Sequence, residues 1–465
     1  MMTPREKPSL TPLPADGAYE ESCGVVEELE SCPRLLSGLE RWNVFFCVFA
    51  WACTACNVTL VVGTGAVVML SIGGTDSSTS LPLGAYFFGA SIVSLTVTPW
   101  IFERWGRKIG FLVGITFGLI GTALGAASIV ARSPPLLLVA SVWFGMATGV
   151  GFFLRFAAVE LVPTHFSSKA VTLVVSGGCV AAFAGPESAQ ATKDLFLNSQ
   201  GQFEYLGVFF MTGVFNVANI LCISLIHFRS SERSAGDDGA ESEPLQRNRS
   251  EFVAMLRTRA FIVPVLFAST CWAAMSLPMS ILRVTMGELG YSNRESLTVL
   301  ELHFLSMYAP GFFSGALISK YGPSWACRLA VAVFAMAVLF MLVSESAETG
   351  SLATWILGMM LAGIAWNIGF SGATVWLLGV YRSSLRYKGW VQAANDTGMF
   401  AMSGVWIFST SYISEAGGGG LDGWKTVNFV VVGFVGFASI LLSSSILFQC
   451  RHLEYQHGDT KSDKQ

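Results

Sequence analysis

"TPWIFERWGRKIGFL" (98–112) sets Glu103, Arg104, Arg107 and Lys108, with two glycines, between two strongly apolar stretches. The chain is otherwise sparing with charge: 13% of its 465 residues are Asp, Glu, Lys or Arg, where a soluble domain carries about 25%. Charges crowded into so short a gap read as a tight turn between two membrane crossings.

The flanks repeat that pattern along the whole chain. Hydrophobic residues make up 52%, including 35 Phe, and a bilayer crossing needs about 20 mostly apolar residues. Twelve stretches qualify: 43–70, 83–102, 108–131, 135–160, 168–191, 205–228, 260–284, 299–319, 325–345, 352–378, 389–413 and 425–449. They are numbered below as spans 1 to 12. The polar N-terminal segment 1–42 carries no signal-peptide pattern, so span 1 is expected to act as its own insertion signal. Residues 229–258 open with a Ser-rich, charged run that lacks apolar periodicity and read as a disordered linker. The expected organisation is therefore a tail (1–42), a six-helix bundle (43–228), the linker, a second bundle (259–449) and a tail (450–465).

Orientation follows from the basic residues. With the N-terminus inside, 22 of the 28 Lys and Arg residues fall on the cytosolic side, which is the asymmetry membrane insertion favours. Both termini and the 103–108 turn are then cytosolic. The net charge of −3 comes with no basic domain, so no nucleic-acid partner is expected. The ten cysteines have no metal spacing and read as small packing residues. No metal and no cofactor is expected.

The halves echo one another at an offset of roughly 216 to 219 residues. Glu103-Arg104-Trp105-Gly106-Arg107 falls opposite Ser319-Lys320-Tyr321-Gly322-Pro323, and Lys169 falls opposite Arg386 and Lys388. Two parallel repeats are the plan of a transporter whose halves rock about a central site.

These residues carry a family resemblance. Glu103, Arg104, Gly106, Arg107 and Lys108 resemble motif A of the major facilitator superfamily, with Glu in place of its Asp and Pro99 where a Gly is usual. The 8–9 turn repeats the motif weakly from Gly315 to Gly322, without the acid. The resemblance implies an all-α membrane protein of twelve helices in two bundles. It further implies that Glu103 docks on the start of span 11, near Lys388 to Trp390, when the cytosolic side is closed. Glu160-x2-Pro163-x5-Lys169 is similar to an element that closes span 4 in sugar porters, where the acid meets motif A arginines. That implies a pairing of Glu160 with Arg107. Gly177, Gly178, Gly185 and Pro186 resemble part of a proton-antiporter motif, but Ser188-Ala189-Gln190 breaks it. Close helix packing explains those glycines equally, as it does Gly114, Gly118, Gly121 and Gly125 in span 3.

Ionisable residues at membrane depth are costly and mark function or a lock between helices. Arg155 lies more than a turn inside span 4 and reads either as an anion-binding residue of the cavity or as a charge whose stem reaches the interface. Asp396, two turns into span 11, is assigned to the cytosolic gate with Glu103, Arg104, Gly106, Arg107, Lys108, Glu160 and Lys169. Glu187, Glu301 and His303 lie in the outer halves of spans 5 and 8 and are candidates for proton coupling. Glu301 and His303, two apart, do not share a helix face. Spans 1, 4, 7 and 10 line the cavity in the superfamily, so the resemblance makes Asn57, Arg155, Trp272, Trp366 and Asn367 the candidate substrate residues.

The expected activity is secondary transport of a small polar or amphipathic solute by alternating access, coupled to protons, in a monomer embedded in a lipid bilayer. The sequence holds no Gly-x-Gly-Asp or His-Glu-x2-His pattern for an intramembrane enzyme and no ATP-binding P-loop. A non-transporting sensor on the same fold is the alternative.

Overall fold

The computed structural model describes residues 36–199, 203–228, 249–382 and 387–462. Most of the predicted N-terminal tail, linker residues 229–248, and Arg386 lie outside the described residues. Among those residues the protein is helical throughout, and twelve helices cross the membrane.

Ten crossings are long and apolar enough by composition alone. The other two are polar or broken. Span 8 is split into Asn293–Tyr308 and Gly311–Tyr321 around Pro310, which has no N–H to continue the ladder. Span 11, Lys388–Ala416, is unbroken but carries Gln392, Asn395 and Asp396 on its buried side. Span 1 (Gly38–Ser71) starts at a capping box, in which Ser37 Oγ accepts from the Glu40 amide and Glu40 Oε2 accepts from the Ser37 amide.

The opening stretch is tighter than a loop. Thr98–Val130 is helical throughout except at Gly106, whose φ of 80° and ψ of 170° belong to a region open essentially to glycine. One residue thus turns the chain from span 2 into span 3. Gly322, 216 residues later, holds φ 85° and ψ 159° between spans 8 and 9. The weak sequence repeat is a repeat of backbone geometry.

In the first half, span 1 packs on spans 5 and 6, span 2 on span 4, and span 3 on spans 4 and 6. The span 3 glycines serve this packing: a Cβ on Gly114 or Gly121 would crowd Val150 and Phe144 of span 4, and one on Gly118 or Gly125 would strike Asn216 and Phe209 of span 6. In the second half, span 7 packs on spans 10, 11 and 12, and span 10 on spans 8 and 9. The two sets of six meet along two seams, span 2 on span 11 and span 5 on span 8.

Two boundaries differ from the sequence reading. The end of the predicted linker forms a helix, Arg249–Leu256, whose Phe252 packs on Tyr387 and Trp390 at the start of span 11 (ring centroids 5.5 and 6.4 Å). The last helix runs Gly420–Ser462, past the predicted end of span 12 at 449, through a segment with no proline to stop it.

Candidate functional site

At the end of the bundle that carries the 98–112 turn, Gly106 delivers Arg107 to the end of span 4. Arg107 Nη2 donates to Glu160 Oε1 at 2.6 Å, and its Nε to Oε2 at 3.4 Å. The same guanidinium lies 4.6 Å from the Phe102 ring centre and reaches Gln392 Oε1 of span 11 at 3.4 Å. Lys388 Nζ approaches Glu160 Oε1 at 3.1 Å. One carboxylate therefore holds cations from spans 3 and 11, with all three side chains only 15–28% exposed. Glu103 faces the first turn of span 11: its Oε1 is 4.0 Å from the position a Cβ on Gly389 would take. A carboxylate there is favoured by the partial positive charge of a helix N-terminus.

The remaining turn residues do other things. Lys108 Nζ donates to the Ser224 carbonyl at 2.6 Å and lies 3.5 Å from that of Ile226, satisfying the free C-terminal carbonyls of span 6. Arg104 is exposed. Lys169, expected in the gate, is also exposed, with its ammonium 5.8 Å from the Phe166 ring. The second cation on Glu160 is Lys388.

Asp396 also departs from its expected place. Two helical turns carry it about 12 Å beyond Lys388, out of the cytosolic cluster and into the middle of the bundle. There its Oδ1 accepts from Arg155 Nη2 at 2.5 Å and from Asn395 Nδ2 at 2.8 Å. Both charged side chains are 0% exposed, so Arg155 does not reach toward the interface. Arg155 Nη1 also donates to the Phe152 carbonyl at 2.7 Å, and the guanidinium rests 4.2 Å from the Phe156 ring and 4.7 Å from the Phe370 ring.

Phe370 leads into an aromatic core. It stacks on Trp366 (4.9 Å, 13° between planes). Trp272 of span 7 touches Trp366 at 5.1 Å and lies 5.6–5.8 Å from Phe87, Phe152, Phe370 and Phe400. Trp51 of span 1 joins through Phe152 at 4.8 Å. Rings from spans 1, 2 and 4 thus meet rings from spans 7, 10 and 11. Trp51 was missed in the sequence, where an aromatic within an apolar run carries no distinguishing signal.

The two asparagines assigned to substrate lie elsewhere. Asn57 donates to Asn216 Oδ1 at 3.2 Å and lines a small cavity of about 20 Å³ within the first half, where Thr54, Thr148 and Asn219 face Phe111, Phe144 and Leu154. That is room for a water molecule. Asn367 donates to the Met307 carbonyl at 2.7 Å and accepts from Ser314 at 3.0 Å, spanning the break in span 8. Pro310 leaves carbonyls without helical partners there, and Asn367 supplies a substitute.

At the opposite end of the bundle, Arg294 pairs with the half-exposed Glu187 at 2.7 Å, joining spans 8 and 5. Glu301 lies within electrostatic reach of both, is 3% exposed, and has one oxygen without a partner. His303 turns away from it, with Nδ1 on the Met359 carbonyl of span 10 at 2.7 Å. Arg283, which the sequence shows only as a charge near a helix end, bonds to the Gly63 carbonyl of span 1 and to Asn293. Among the described residues no group of three or more His, Cys, Asp or Glu is arranged to hold a metal.

Twelve helices in two sets of six, bridged by charges at both ends of the bundle and at its centre, have the architecture of a membrane transporter. The model of the Major Facilitator Superfamily matches residues 45–405, and the chain belongs to that family. It is similar to the riboflavin transporter RfnT of Brucella anthropi, 23% identical over 402 residues that cover 86% of this chain and 95% of the relative. It is also similar to YddS of Bacillus subtilis, described as an uncharacterized MFS-type transporter, at 24% identity over 427 residues and 91% of each chain. The fold matches the E. coli fucose:proton symporter FucP with a TM-score of 0.58 at 16% identity, covering 86% of this chain and 97% of FucP. A second FucP structure, in the outward conformation, matches at 0.57 and 15% identity, with coverage of 86% and 98%. The protein is a multi-pass integral membrane transporter, not an enzyme.

Proposed function

We propose that the protein is a secondary active transporter that carries a small polar or amphipathic solute by alternating access, coupled to protons, with both termini in the cytosol. The observation that carries this reading is the Arg107–Glu160–Lys388 cluster. It joins span 11 to spans 3 and 4 through one partly buried carboxylate, at the point where the halves must part for a cytosolic opening. Glu103 at the start of span 11 adds to the same latch.

For proton coupling the best-supported group is Glu301 beside Glu187. Glu301 is buried on the span 5–span 8 seam beside the Glu187–Arg294 pair, with one carboxylate oxygen that has no hydrogen-bond partner among the described residues. His303 is committed to Met359 and is the weaker candidate. The cargo of RfnT makes riboflavin the first solute to test.

The experiment is uptake into liposomes holding the purified protein, with an imposed pH gradient and with the gradient collapsed. Riboflavin heads a panel of sugars, nucleobases and organic acids. Accumulation of one solute above equilibrium, lost when the gradient is removed, is the expected result. Facilitated equilibration without accumulation would remove proton coupling, and no flux for any solute would favour a non-transporting role.

A further inference from the structure

The indole N–H groups of six tryptophans fall into two sets. The indole N–H groups of Trp42, Trp355 and Trp424 donate to the carbonyls of Leu225, Glu345 and Met341 at 2.8–3.1 Å. Those of Trp51, Trp272 and Trp366 are buried and have no acceptor among the described residues. All three belong to the aromatic core where the halves meet. A buried indole ordinarily finds a partner, and a cluster of orphaned donors at one place calls for a physical reason.

We infer that this core is a ligand site for a planar heteroaromatic ring system whose rim carries hydrogen-bond acceptors, such as carbonyls or pyridine-type nitrogens. The inference rests on the transporter reading and specifies its substrate class. Trp272 belongs to the second half, and two of its five ring neighbours, Phe87 and Phe152, belong to the first. When the halves separate, Trp272 gives up those two contacts and presents a bare ring face beside its N–H. A flat π-system restores the ring contacts, and acceptors on its rim satisfy the indole donors that the closed protein leaves unpaired. A sugar or an aliphatic acid offers acceptors but no ring face; a hydrocarbon offers the face but no acceptors. Only a heteroaromatic answers both. Arg155 Nε and Asp396 Oδ2, also buried and unpartnered, border the same core through Phe370 and supply one further donor and one acceptor.

The test uses the full-length purified protein without any gradient, and lumichrome, a planar tricycle with two carbonyls, as the probe; ribitol is the ringless control. Binding is read from tryptophan quenching and calorimetry, and stability from thermal melting. Trp272→Phe and Trp366→Phe keep a ring and delete the N–H. Each should melt higher than the parent without ligand, since an unsatisfied buried donor is gone. Each should bind lumichrome roughly three- to tenfold more weakly, the loss of one hydrogen bond. Trp424→Phe, which deletes a satisfied N–H far from the core, should melt lower and bind as the parent does. Should either core variant fail to fold, Trp51→Phe provides the same readout. Failure of the parent to bind lumichrome, binding of ribitol as tight as that of lumichrome, or unchanged affinity in the core variants would overturn the inference. Lumichrome binding without gradient-driven uptake of any solute would leave the site standing and overturn the coupled-transport reading alone.

Discussion

Arg155 and Asp396, 241 positions apart in the chain, form a 2.5 Å ion pair with neither side chain exposed to solvent. It ties span 4 in the first half to span 11 in the second, at the level where the aromatic core begins. Removing one partner strands the other charge, which costs about 3–5 kcal/mol. Asp396→Asn and Arg155→Gln should therefore each lower the melting temperature markedly. Removing both charges together, as Arg155→Met with Asp396→Leu, should restore most of it. If the pair is only a fastener, the double variant also transports; if the cycle needs the charges, it folds and stays inactive. Single variants as stable as the parent would show that the pair is not shut from water.

The cytosolic cluster makes a second set of expectations. Each partly buried, charge-assisted contact on Glu160 contributes about 1.5–3 kcal/mol, and about 1.4 kcal/mol shifts a two-state balance tenfold. Glu160→Gln should shift the population toward a cytosol-open form by an order of magnitude or more. That is measurable as faster labelling of a cysteine placed at the fully buried Ala157. Arg107→Ala and Lys388→Ala should act in the same direction. Lys169→Ala should leave labelling unchanged, because its ammonium has no carboxylate partner among the described residues. Equal labelling of Glu160→Gln and the parent would reduce the turn to a basic anchor.

Gly106 and Gly322 allow a test of backbone strain free of packing. A Cβ on either would meet nothing within 4 Å, yet both sit at positive φ. Gly106→Ala and Gly322→Ala should each destabilise by about 1–3 kcal/mol, and β-branched Val should be worse than Ala at both sites. Thermal melts that place Val level with Gly would mean that the turn relaxes into another conformation.

Topology is checked from outside. Tags at residues 1 and 465 should be protected from antibody in intact cells, and a tag within Gly417–Gly420 should be accessible. An accessible C-terminal tag would remove one of the twelve crossings.

Most of the fold was legible before any coordinate. Twelve apolar runs, the basic asymmetry and the glycine-bearing turns are local properties, because hydropathy over about 20 residues and the φ preference of one glycine act within a short length of chain. Arg107 with Glu160 was implied by the resemblance of the end of span 4 to an element of sugar porters. Tertiary structure alone decided which buried group meets which. Asp396, assigned to the gate, instead meets Arg155; Glu160 takes Lys388 as well as Arg107; Asn57 and Asn367 turn into their own halves. Each outcome depends on the rotation of a helix about its axis and on its depth against a neighbour. On helices that are apolar nearly all round, no amphipathic stripe in the sequence reports that rotation. The unpaired indoles of Trp51, Trp272 and Trp366 were hidden for the same reason, since whether a donor finds an acceptor is a property of the packed bundle and not of the residue.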